Sequence, residues 1–470
     1  MSYTRVLAFI GFLIVLAGIA FGLSALAPRP VACTDCNVVI IGVDTLRADR
    51  IHAFGYGRET TPNIDALARD SFSFTNAVSA SSWTVPSFMS IFTGVYPSVH
   101  KVVNKYVEYD PNDPAHQILS NLKKLSPDTM TLAEAMKAHG YATGGFTGDA
   151  GVGHAFGYAQ GFDVYTDETT FGTLSNSGAR ALSWLDSLPT GQKFFMFFHG
   201  YDLHGQAMLA KEGQTFVPKG YTGPYTGSAQ EEAVLREAQL TQEGISLTTE
   251  DVAFWNGLYD SKILAADAEV GTFIEALKER GLYDRTIIIL VSDHGEEYYE
   301  HGGIDHGHTL YDELVRVPLI MRVPGYEGGR TTAQVSTMDV APTLASLLGV
   351  SYPAPYARQL IGRDLSGFLT NPGLRGEDAY LETDYREYVH ERGIRSRDGY
   401  KYVINLNTGR EELYDLSTDP KEMKNIVETD LAHAATLRAK VRMHMKEDLG
   451  ADPDERPKIG CLPVYPTECQ

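Results

Sequence analysis

Four short, largely apolar runs mark the chain at 38–43, 141–146, 194–198 and 287–291. A strand covered on both faces needs apolar side chains at odd and even positions alike, so these runs predict buried strands of a parallel sheet. Stretches with helical spacing fall between them, at 131–139, 179–188 and 264–280. The alternation predicts an α/β fold, a doubly wound and mostly parallel sheet. After a helical stretch at 342–348 the pattern changes. From about 355 an alternating segment at 399–404 and a predicted helix over about 428–448 make a smaller C-terminal α+β subdomain. Residues 205–250 are polar and Gly-rich and read as an insertion near the mouth of a site.

Each predicted strand runs directly into polar residues. The first meets Asp44, the second Thr147 and Asp149, the third His199, Asp202 and His204, and the last Asp293 and His294. Open α/β sheets bind ligands beyond the carboxyl ends of their strands, so these groups are expected at one edge. The segment Ser82-Trp83-Thr84-Val85-Pro86 predicts a helix start, because proline is tolerated in a first turn. Thr84 would sit just before that helix, where free N–H groups favour an alkoxide or an anionic ester. A lone Thr-x-Pro is more often a plain helix cap. Here Asp44, Asp293 and His294 offer oxygen and nitrogen ligands for a divalent cation. A cation shared with Thr84 would lower the pKa of its hydroxyl and make it a nucleophile.

Residues 1–32 differ from the rest. After Arg5 the run 6–27 is apolar and uncharged for 22 residues, long enough to cross a bilayer. It reads as a membrane anchor or as a cleaved signal peptide, and either sends the chain out of the cytoplasm, to a periplasm or cell surface. The expected layout is therefore 1–32 anchor or signal, 37–350 catalytic domain, 355–450 subdomain and 451–470 tail. Cys33, Cys36, Cys461 and Cys469 allow three pairings and suggest disulfides at the termini in an oxidising compartment. The net charge of −20, with no basic run, argues against nucleic acid as a partner.

The motifs also carry a resemblance. The stretch from Asn37 through Asp44, Arg47 and Asp49, then Tyr56-Gly57 and Thr61-Pro62-Asn63, is similar to the opening of the sulfatase family, within the alkaline phosphatase superfamily. Ser292-Asp293-His294-Gly295-Glu296, His301-Gly302, His306-Gly307-His308 and Val317-Pro318 resemble its second signature. Glu412-Leu413-Tyr414-Asp415 with Asp419-Pro420 and Asn425 resembles its C-terminal subdomain. The resemblance implies that fold and a hydrolase of sulfate or phosphate esters. It implies catalytic roles for Thr84, His204 and His306, with Asp202 and His308 as further metal or substrate contacts; Arg47 and Asp49 are read as structural, supporting the turn after the first strand.

Departures from the family pattern shape the chemistry. Thr84 stands where sulfatases carry the Cys or Ser that becomes formylglycine, Phe88 where they carry an Arg, and Thr45 where they carry a second Asp. No formylglycine is expected, because oxidising a threonine gives a ketone. Zinc or manganese is favoured over calcium, which prefers several hard oxygens. A covalent ester on Thr84 must be cleared by a second displacement, which suits phosphate esters. Two other readings stay open: an envelope transferase of phosphoethanolamine or phosphoglycerol type, and a non-catalytic binding protein. The expected substrate is a small-molecule, glycan or lipid-linked ester; oligomeric state is unreadable.

Overall fold

The computed structural model describes residues 32–103, 124–167, 171–205, 209–240, 244–385 and 389–448. The apolar run 6–27 and the tail 451–470 lie outside the described residues. Among the described residues no helix is long and apolar enough to cross a membrane.

In chain order the strands are β1 (Asn37–Val43), β2 (Phe72–Val78), β3 (Ala142–Phe146), β4 (Val164–Thr166), β5 (Phe194–Gly200) and β6 (Thr286–Val291). A small hairpin follows, β7 (Glu297–Tyr298) with β8 (Ile304–Asp305), and then β9 (Arg316–Arg322), β10 (Gly329–Thr331) and β11 (Val335–Ser336). The large sheet runs β10-β2-β9-β6-β1-β5-β3-β4, with β11 also paired to β2. Among the described residues only β9 runs against its neighbours β2 and β6; the other pairings in this sheet are parallel. The four expected strands are β1, β3, β5 and β6.

The main helices are α1 (Pro62–Arg69), α2 (Thr84–Thr93), α3 (Leu132–Ala138), α4 (Leu174–Ser187), α5 (Ala229–Leu240), α6 (Thr249–Glu279), α7 (Val340–Leu348) and α8 (Leu431–Met443). They cover both faces of the sheet, which explains the unbroken apolar runs. Val38 and Ile40 share one core with Phe88 of α2 and Leu344 of α7. Val39 and Ile41 share the other with Val270 and Phe273 of α6. Each such side chain, once buried, contributes roughly 1.5–3 kcal/mol.

Two helices begin earlier than their apolar spacing suggests. At α4 the Thr173 side chain accepts from Asn176 N–H, and at α6 Thr248 and Asp251 form a reciprocal capping box. Helix α5 lies inside the insertion, where composition alone gave no helix. Beyond residue 355, β12 (Ala379–Tyr385), β13 (Val389–Arg395), β14 (Tyr400–Asn405) and β15 (Glu411–Asp415) form an antiparallel sheet in that order. Helix α8 packs on β13 and β14. Cys33 and Cys36 are disulfide-bonded to each other, a local loop just before β1; Cys461 and Cys469 lie outside the described residues.

Candidate active site

The adjacent parallel strands β5, β1 and β6 end level: Gly42 of β1 pairs with His199 of β5 and with Val291 of β6. Asp44, His199, Asp293 and His294 therefore emerge side by side, all fully buried. Thr84 is the first residue of α2, one position later than the sequence suggested, and the preceding Trp83 makes no side-chain cap bond. Its hydroxyl is turned to the strand ends instead, with Oγ1 3.2 Å from Asp44 Oδ2 and 3.2 Å from His294 Nε2. That disposes of the plain cap.

His294 Nδ1 lies 2.8 Å from its neighbour's carbonyl oxygen, Gly295 O, an acceptor that requires Nδ1–H. Nε2 is left with its lone pair facing Thr84. Asp293 Oδ2 is 3.3 Å from that nitrogen, and His199 Nε2 is 3.6 Å from Asp44 Oδ2. Among the described residues, Asp44 Oδ1, Asp293 Oδ2 and both ring nitrogens of His199 are buried without a hydrogen-bond partner. Such orphans are costly and cluster where a ligand belongs. Burial pushes the Asp44 carboxyl up to about 7 against the pull of His306 and of the Thr84 hydrogen bond. Burial and the Asp44 charge push Asp293 up as well, while burial pushes His199 down to about 4.

A second tier of groups stands beside the first. The His306 ring lies 4.3 Å from that of His294 and 5.0 Å from that of His204, centroid to centroid. His306 Nδ1 sits 2.7 Å from Asp305 Oδ1 and 3.0 Å from Glu296 Oε1. Burial opposes a charge on this ring, but the two carboxylates outweigh it and hold its pKa well above the usual range. Burial, with the His306 charge added, drives His204 well below its own.

The chain matches the family model described as Sulfatase over residues 36–350. The chain belongs to the sulfatase family. A second model, N-sulphoglucosamine sulphohydrolase, C-terminal, matches this chain over residues 299–450. An N-acetylglucosamine-6-O-sulfatase of Bacteroides thetaiotaomicron is 35% identical over 181 residues, 36% of this chain and 31% of that protein. A solved structure of a protein in complex with its substrate D-glucosamine-2-N,6-O-disulfate superposes with a TM-score of 0.70 at 21% identity, covering 90% of this chain and 99% of that one. The phosphonate monoester hydrolase of Agrobacterium radiobacter superposes with a TM-score of 0.64 at 22% identity, covering 86% and 96%. The fold is theirs, and the enzyme class is that of sulfatase-like ester hydrolases, which use a divalent metal.

The donors of this chain suit such a metal. One ligand atom each from Asp44, Asp293 and His294 lies within 4.8 Å of the others, and the Thr84 hydroxyl touches two of the three residues. Two buried carboxylates side by side, each pushed toward neutrality, are stable as anions only opposite a cation. Phe88 packs its ring 4.9 Å from His199 and 5.5 Å from Phe197 and belongs to the core. The Thr45 hydroxyl is buried and has no hydrogen-bond partner among the described residues, at a backbone φ of 58°.

Not every expected residue arrives. Asp202 is withdrawn from the donor cluster because its Oδ2 accepts the N–H of Leu174, 2.7 Å away at the start of α4. His308 pairs instead with Glu297, Nε2 to Oε2 at 2.7 Å, in the β7–β8 hairpin. Arg47 and Asp49 pair with each other, as a structural role requires. The sequence places His199 only among the strand-end groups and Glu296 only within a motif, and gives Asp305 no role. His199 ends an apolar strand, Glu296 follows the Asp293-His294-Gly295 motif and Asp305 precedes His306, so only their position beside sharper signals could have marked them.

Proposed function

We propose that this sulfatase-family chain hydrolyses phosphate or sulfate esters through a covalent ester on Thr84 Oγ1, with phosphate esters the better fit. The observation that carries the reading is the Thr84 hydroxyl held 3.2 Å from both Asp44 Oδ2 and His294 Nε2 at a helix N-terminus. Asp44, Asp293, His294 and the Thr84 oxygen would hold a divalent cation, and the nitrogen ligand favours zinc or manganese over calcium. When bound, the cation supplies a Lewis acid that lowers the hydroxyl pKa and polarises the ester.

The chain's own groups do the rest. Thr84 gives up its proton toward Asp44 Oδ2, and Oγ1 bonds to phosphorus or sulfur as the bond to the leaving oxygen breaks. His306, with Nδ1 engaged by Asp305 and Glu296, keeps its other nitrogen to protonate that oxygen. Water then attacks the same central atom, loses a proton, and the departing Thr84 oxygen regains one. The amides of α2 favour the anion at each stage. The Cys33–Cys36 disulfide supports an extracytoplasmic location, with residues 6–27 as anchor or signal.

The test is turnover of aryl phosphate, aryl phosphodiester and aryl sulfate by metal-loaded protein and by Thr84→Ala. Loss of at least about a thousandfold in kcat is expected on removing a covalent nucleophile, with metal retained in part. Full activity in Thr84→Ala would overturn the mechanism. Transfer to an added alcohol in preference to water would move the reading to a transferase.

A further inference from the structure

Helix α5 presents Glu232, Arg236 and Gln239 at intervals of four and three, which places them on one face. All three meet the segments that carry the second-tier histidines. Arg236 Nη1 lies 3.2 Å from Asp305 Oδ2, and the other oxygen of Asp305 holds His306, accepting its backbone N–H at 3.0 Å and lying 2.7 Å from its Nδ1. Gln239 Oε1 accepts the N–H of Ile304 at 2.6 Å, one residue before Asp305. Glu232 is buried and reaches the other histidine. It stands 3.8 Å from Lys262 Nζ, and that ammonium donates to the carbonyl of His204 at 3.2 Å. A Cβ on Gly205 would lie 2.6 Å from Glu232 Oε1, so the chain just after His204 presses directly on the helix.

These contacts have a mechanical consequence. Asp305 is held at a φ of 82°, a left-handed conformation that a non-glycine residue keeps only when its surroundings enforce it. Arg236 and Gln239 supply that enforcement on one side. His204 and His306 come from segments about a hundred residues apart in sequence, and α5 touches the supports of both. We infer that α5 is a positioning clamp: Glu232, Arg236 and Gln239 set the separation of His204 and His306, and Arg236, through Asp305, governs turnover without touching the ester. Arg236 is a positioning residue. The insertion thereby does more than border the site.

The inference rests on the Thr84 reading for what is turned over, so its test includes a readout that needs no turnover. Full-length Arg236→Ala is expected to lose about 10- to 100-fold in kcat, the scale of a misplacement near 1 Å, with KM within about threefold. Metal content per chain should not change, and Arg236→Lys should recover a substantial part of the loss. Hydrogen exchange should show peptides spanning 199–205 and 296–308 losing protection together while 286–291 keeps its own. An unchanged kcat, an equal loss in Arg236→Lys and Arg236→Ala, or faster exchange in 296–308 without 199–205 would overturn the clamp. If the wild type turned over no ester, the Thr84 reading would fall alone, and the paired exchange response would still decide this one.

Discussion

Thr84 and His199 share Asp44 as a neighbour but differ in what they can offer it. Thr84 has a donor and sits at its hydrogen-bonding distance, whereas His199 has two ring nitrogens and, among the described residues, no hydrogen-bond partner for either. A buried imidazole in that state is costly unless something occupies the space between it and the carboxylates. Removing it should therefore show first in metal retention. His199→Ala is expected to weaken the bound cation about 10- to 100-fold, the usual effect of losing a group that supports metal ligands. Chelator titration followed by elemental analysis checks this, and retention equal to wild type would mark His199 as a packing residue for Phe88 and Tyr201. The Thr84 side chain is also crowded, on its methyl side. A Cβ on Gly151 would lie 2.9 Å from Thr84 Cβ, so Gly151→Ala should lower kcat by roughly tenfold through displacement of the nucleophile. Steady-state kinetics on the best aryl ester would show it, with the melting temperature as control.

At the scale of elements, Asp202 separates a capping role from a metal role. Its Oδ2 accepts from Leu174 N–H at 2.7 Å, and burial has pushed the carboxyl up to about 6. Asp202→Ala should cost about 1 kcal/mol of stability, as for a lost helix-start acceptor, and leave metal content and kcat nearly unchanged. Denaturant melts and metal analysis measure both; loss of a second equivalent of metal would restore the discarded role. The same residue shows where reading the sequence reached its limit. The strands β1, β3, β5 and β6 were legible because burial on both faces forces continuous apolar runs, and their ends correctly located Asp44, Asp293 and His294. Which way a strand-end side chain turns was not legible. Asp202 and His204 lie two residues apart, yet one is drawn to α4 and the other stands beside His306. Helix α5 was hidden for another reason: Leu235 joins the core, but the helix's other long-range contacts are polar, made by Glu232, Arg236 and Gln239, so it lacks the apolar stripe that marks a helix in sequence.

For the whole molecule, the antiparallel sheet is joined to the catalytic body by buried ions as well as by an apolar cluster in which Val78, Leu310, Leu314 and Val315 meet Ala379, Leu381 and Val403. Lys401 of β14, with no exposed side chain, lies 3.0 Å from Asp312 Oδ1 and 2.9 Å from Glu422 Oε1, and Arg395 of β13 also pairs with Asp312 at 2.9 Å. Lys401→Met leaves two carboxylates without their common cation and should cost about 3–5 kcal/mol. Beside this clamp, His301 makes a titratable version of the same join. Its Nδ1 meets Glu313 at 2.5 Å, its Nε2 meets the carbonyl of Lys421 at 3.1 Å, and its ring stacks on Tyr311 at 3.7 Å. Burial works against charge on this ring, but the Glu313 hydrogen bond and charge prevail and lift its pKa to about 9. A folded pKa above the unfolded one, about 6.5 for histidine, means the imidazolium stabilises fully below that lower value. The contribution fades as pH rises through 9, where the folded ring also loses its proton. His301→Gln should therefore melt well below wild type at pH 6, by an amount on the order of 1–2 kcal/mol, and close to it at pH 10. Paired thermal melts at the two pH values decide the point, because a gap of equal size at both would mean that stacking on Tyr311, and not the charge, carries the contact.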